Sequence, residues 1–440
     1  MVLRSYPGQE VKANDLLTFP TLFMGIGNLL AVPLAITVGR RPVFLASIIV
    51  ILVAGIWCAV SKTLDSHIAA RAVLALGAGP SEALAPLMVQ EIFFLHEKGR
   101  KLGAFIFIEN VLCGIFFCVS PYIVVAAGWQ WWYGVLTTAN GVLLVIAYFL
   151  LAETAFIRTT ESANGVNEDS KGNPAPALTT ADTIELDFET YGTRSFRQDL
   201  KLLHQKPKLS SILTFYKNIL KVFCIPTVFW LFLLNGAYLG IYVFEASTFA
   251  GVLMSPPYRM TFTALGYVQA GQIVCCLLFL PLFGYGSDLV IKVMSKRNNG
   301  KYKQEYRLIP LLVPAVVGLV CTIIYGQSAA FPAKWSIGAP IFTYNASFFA
   351  FLGVNVIAIT YAVDSYPLHA EEVLTVICAG RGIVSFGQSY SILPSIKGIG
   401  YDGATIAQAG IAAGLSVLGV AVYLGGPLLR RWAVKRLGID

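Results

Sequence analysis

Eleven stretches of this chain are long and apolar enough to cross a lipid bilayer, and that repetition constrains the fold more than any single motif. They run 17–38, 42–60, 67–90, 102–126, 130–152, 225–247, 264–284, 307–325, 338–361, 373–393 and 404–427. A bilayer's hydrocarbon core, about 30 Å thick, is crossed by about 20 mostly apolar helical residues. Backbone amides find no water there and must bond within their own segment, so each stretch is expected to be a helix. The fold class expected is an all-α membrane protein. The count is odd, whereas membrane proteins built from duplicated bundles normally carry an even number. Either the arrangement is unusual or a first helix is absent from the sequence.

Composition excludes a soluble protein. The chain is 56% hydrophobic and only 13% charged, against about 25% charged in an ordinary soluble domain. The net charge of +8 is a matter of topology. With the first span running inward, the cytoplasmic connections hold Arg40, Arg41, Lys98, Arg100, Lys101, the basic residues from Arg158 to Lys221 and from Lys292 to Arg307, and the Arg430–Arg436 tail. The opposite side holds only Arg4, Lys12, Lys62, Arg259, Lys334 and Lys397. Positive residues stay inside, so the N-terminus is expected outside and the C-terminus in the cytoplasm, with no nucleic-acid partner. All eight cysteines lie in or beside spans without metal-ligand spacing and read as packing residues.

Residues 153–222 interrupt the pattern and divide the chain. A first bundle of five spans (1–152) precedes them, and a second of six spans with a cytoplasmic tail (223–440) follows. Within the break, 161–190 is polar and rich in turn residues and reads as a disordered linker. Residues 195–223 alternate basic and apolar residues at helical spacing, the pattern of an amphipathic helix on the cytoplasmic membrane face.

Several strings lie within spans or at their ends: Gly39-Arg40-Arg41-Pro42; Arg71 opening the third span, followed by Gly77-Ala78-Gly79-Pro80-Ser81-Glu82; Gly284-Tyr285-Gly286-Ser287-Asp288; Tyr361-Ala362-Val363-Asp364-Ser365-Tyr366; and Arg381. In that order they resemble the major facilitator superfamily, in particular its fungal twelve-span drug:proton antiporters, beginning at the family's second helix. The resemblance implies two helix bundles (here five and six transmembrane helices), transport by alternating access, and gating roles for Arg40, Arg41, Asp288, Asp364 and Arg381. Ile36 stands where the family's loop motif carries an acid, and Ala75 where its fourth helix carries glycine.

Ionisable residues within spans are expensive and usually face a cavity or a partner. Arg71 and Glu82 are eleven residues apart, on one helical face, and either can serve coupling or a structural salt bridge; Glu109 lies two turns into the next span. Glu245 sits toward the outer end of its span, where it can line a substrate site or simply reach the surface. Trp230, Asn235, Tyr238, Tyr242 and Asn355 can line an amphipathic pocket or merely pack. The expected function is secondary active transport of a small organic molecule at the plasma membrane, proton-coupled and directed to efflux of a drug or secondary metabolite. Two alternatives stay open: proton-driven uptake of an organic cation such as a polyamine, and a non-transporting truncated membrane protein. No Walker A string suggests ATP use; neither a cofactor nor enzymatic activity is expected, and the energy source would be the proton gradient. The partners are substrate, protons and lipid, and the protein is expected to be a monomer.

Overall fold

The computed structural model describes residue 12 and residues 14–92, 98–151, 210–299 and 303–437. The first bundle comprises α1 (Asp15–Val38), α2 (Arg40–Val60), α3 (Leu64–Ile92), α4 (Lys98–Ala127) and α5 (Trp129–Leu150). A short helix, α6 (Ser210–Phe223), leads into the second: α7 (Pro226–Met254), α8 (Leu265–Phe279), α9 (Gly286–Arg297), α10 (Leu312–Ala330), α11 (Gly338–Ser365) and α12 (Ala370–Leu437). The expected linker over 161–190 and the first part of the amphipathic stretch, 195–209, lie outside the described residues.

Among the described residues, ten continuous helical stretches are long and apolar enough to cross a membrane, against the eleven expected, and the difference lies in α12. A straight helix of its 68 residues would be about 100 Å long, some three bilayer thicknesses. It turns instead at Gly400, whose φ of 74° departs from the helix and suits glycine. Val384 lies against Gly236 of α7, while Ser416 bonds Tyr238 of the same helix at 3.0 Å. Residues on either side of Gly400 thus return to one level of α7, as two antiparallel crossings must. The span expected to end at 284 also continues, through a π-helical turn at Leu280–Tyr285 into α9. Pro281 falls in that turn, where its missing N–H disfavours regular α-helical bonding.

The bundles meet along α1 with α12 and α4 with α8. Small residues let the first pair approach closely. A Cβ on Gly25 would lie 2.8 Å from the Ala379 carbonyl oxygen, and one on Gly382 would lie 2.7 Å from that of Thr21.

The described part of the amphipathic stretch, α6, does more than lie on the membrane surface. Phe215 is 5% exposed and packs in one cluster with Val32 and Ala35 of α1, Ala83 and Leu84 of α3, and Cys378 of α12. The Tyr216 hydroxyl donates to the Leu29 carbonyl at 3.0 Å, and the Asn218 amide donates to Glu372 at 3.1 Å. The apolar face of α6 is therefore covered by both bundles, whereas Leu213 and Leu220 on its other side stay exposed.

Candidate functional site between the bundles

The spans' few polar residues converge where the bundles face each other. Glu82 of α3 forms an ion pair with Arg381 of α12 and accepts from the Asn28 amide of α1 at 3.2 Å. Arg381 donates to Asn355 Oδ1 of α11 at 2.9 Å. Asn235 of α7 donates to that same oxygen at 2.8 Å. A single chain of contacts thus crosses from α1 and α3 to α7, α11 and α12. Arg381 is 8% exposed and Asn28 and Asn235 are fully buried. Such charges persist in hydrocarbon only when paired and hydrogen-bonded.

Glu109 is exposed on α4 yet lies within electrostatic reach of both Glu82 and Arg381. Arg71 shares a helix with Glu82 but not a contact, because eleven residues of helix separate them by about 16 Å. Its electrostatic neighbours are instead His67 and Cys58, beside the turn between α2 and α3. Asn28 was not anticipated, although a lone amide in the middle of an apolar span was a readable signal.

A layer of apolar contacts lies between this network and the Arg40 end of the bundles. Leu87 of α3, Ile359 of α11 and Leu374 of α12 form a buried apolar cluster. Below it Arg40 bonds Glu371 across the bundles at 2.6 Å, a partner the sequence did not indicate. Arg41 works within the first bundle: it donates to the Tyr148 carbonyl at 2.7 Å and lies over that ring. Asp364 pairs with Arg307. Asp288 lines a water-sized cavity with Arg307, Thr360 and Gly103 of the opposite bundle.

Trp230 and Tyr238, read as either lining a pocket or packing, pack. Trp230 donates through its indole to the Leu415 carbonyl at 2.8 Å, and Tyr238 bonds Ser416. Both are nearly fully buried inside the second bundle and hold α7 to α12. Glu245 does not reach the surface: it is 0% exposed, with the Ser347 hydroxyl donating to it at 3.0 Å. Tyr242 accepts from Gln272 at 3.0 Å and stacks among Tyr344, Phe348 and Phe351.

Residues 8–386 match the model of the Major Facilitator Superfamily. The chain belongs to that superfamily. It is 23% identical over 455 residues to an MFS-type transporter of Schizosaccharomyces pombe, covering 94% of this chain and 78% of the relative. It is 24% identical to the MFS-type transporter penM of Penicillium rubens, covering 79% of this chain but only 64% of penM. It is also 25% identical to tndD of Aspergillus flavipes, covering 98% and 74% of the two chains. In fold it is similar to the xylose transporter XylE of E. coli in a partially occluded inward-open conformation, with TM-score 0.57 at 13% identity over 94% of this chain and 90% of that one. The human organic anion transporter MFSD10 gives TM-score 0.52 at 14% identity, covering 92% and 83%. The protein is an integral, multi-pass membrane transporter of small molecules, not an enzyme.

Proposed function

We propose that the protein is a proton-coupled exporter of a drug-like compound or secondary metabolite at the plasma membrane, with Glu82 as its coupling carboxylate. The observation that carries this reading is the ion pair between Glu82 and Arg381, one partner in each bundle and both largely buried. Arg381 and a proton are alternative ways of neutralising one carboxylate. When the bundles rock and Arg381 is drawn toward Asn355 and Asn235, Glu82 takes a proton; when they return, Arg381 displaces it. A substrate entering between the bundles competes for Arg381, Asn355 and Asn235, which links its movement to the proton's. Glu109 lies within electrostatic reach of both members of this pair. The apolar layer formed by Leu87, Ile359 and Leu374 supplies the closed side that alternating access requires. Both halves of the site come from one chain, so a monomer suffices.

The test is uptake into inside-out vesicles carrying the full chain, with an imposed pH gradient and a compound panel. Gradient-driven flux of at least one compound is expected. Glu82→Gln should abolish the gradient's effect while leaving exchange of that compound across the membrane. Undiminished gradient-driven flux in Glu82→Gln would overturn the assignment.

A further inference from the structure

A second carboxyl is buried more deeply than Glu82 and has no cation. Glu245 lies on α7, at 0% exposure, and its contacts are sparse. Oε1 accepts from the Ser347 hydroxyl of α11 at 3.0 Å, and Oε2 has no partner. The groups around it are neutral: Cys321 and Tyr325 from α10, Tyr344 from α11, and beyond Tyr325 the phenol of Tyr401 from α12. Tyr325 is engaged by Thr248 at 2.7 Å. Among the described residues, no Lys, Arg or His acts on the carboxyl. An uncompensated carboxylate in such a place costs far more than a neutral acid. Some cation must therefore accompany it, and zero exposure means that no sphere the size of a water molecule touches it. A hydrated ion or an amine does not fit. A proton does.

We propose that Glu245 is a proton-binding site of the second bundle, filled and emptied through the outer face. It lies nine residues before the end of α7 at Met254, about 14 Å of helix, and about twice that from the inner end at Pro226. Exchange requires α7 and α11 to part on the outer side, which breaks the bond to Ser347, opens Oε2 to water and lets the proton pass from the carboxyl to that water. This rests on the proton-coupled reading for its use in transport, not for its existence.

The experiment is pH-dependent infrared difference spectroscopy on the full chain in lipid, reading the C=O stretch of protonated carboxyl groups. At neutral pH a protonated-carboxyl band is expected in the wild type and is lost in Glu245→Gln. In Ser347→Ala the band persists at a shifted frequency, because one hydrogen bond to the carbonyl oxygen is gone. A wild-type spectrum without the band, or a band unchanged in Glu245→Gln, overturns the proposal. Vesicle flux on the same samples separates the two readings: gradient-driven flux with no Glu245 band would leave the exporter standing and remove this site. A Glu245 band without flux would do the reverse.

Discussion

Breaking the ion pair between Glu82 and Arg381 should cost more than losing it altogether. Among the described residues, Arg381→Met leaves Glu82 with the Asn28 amide at 3.2 Å; Glu82→Gln leaves Arg381 with Asn355 at 2.9 Å. Removing one member of a buried pair typically costs about 3–5 kcal/mol, whereas replacing both with neutral side chains of similar volume is often close to neutral. The double substitution should therefore be more stable than either single one, with a coupling energy of several kcal/mol. The two singles should also differ in pH dependence. A carboxylate can take up a proton but a guanidinium cannot shed one. The defect of Arg381→Met should shrink as pH falls, and that of Glu82→Gln should not. Thermal unfolding of the four proteins in lipid nanodiscs, followed from pH 5 to pH 8, gives both readings. A double variant whose loss equals the sum of the singles would refute the pairing, because independent sites add. Equal pH profiles for the two singles would refute the asymmetry.

Four further outcomes follow from the packing. Phe215→Ala should lose about 3–5 kcal/mol of α6 docking and expose Cys378, now 1% exposed, to a thiol reagent added from the cytoplasmic side; an unchanged labelling rate would show that α6 does not cover it. Gly382→Val places methyl groups against the Thr21 carbonyl and should cost about 1–3 kcal/mol while spreading α1 from α12, read as a longer spin-label distance between the bundles. Arg430→Gln strands Glu305, which is 3% exposed and paired at 2.6 Å, and should cost about 3–5 kcal/mol. Asp65→Asn, which breaks the exposed pair with Lys12, should cost about 0–1 kcal/mol; similar melting shifts in these two variants would contradict the burial argument.

How much of this was legible depended on whether the physics was local. Crossing a bilayer is a property of some twenty consecutive residues, so the spans and the turn between 393 and 404 could be read directly, and Gly400 lies in that gap. Glu82, Arg381, Asn235 and Asn355 were each visible as polar residues in apolar surroundings, but their pairing was not. Helical periodicity relates Glu82 only to residues of its own helix, and so pointed to Arg71; the partner that neutralises it lies on α12, a relation no spacing rule encodes. The aromatic residues of α7 stayed undecided between lining and packing for a different reason. That helix is buried over 72% of its apolar window, so nearly every face is covered and no amphipathic stripe distinguishes Trp230, which binds α12, from Asn235, which faces the network. The pattern of α6 did declare an apolar face, and lipid was the simplest cover for it. The structure covers it with Val32, Ala83 and Cys378 instead, directly beneath Glu82 and within one turn of Arg381. An amphipathic pattern gives the existence of a covered face; whether lipid or protein covers it is decided by segments far away in the chain. Here that choice turns an expected surface helix into one packed against both bundles, beside the helix turns that carry Glu82 and Arg381.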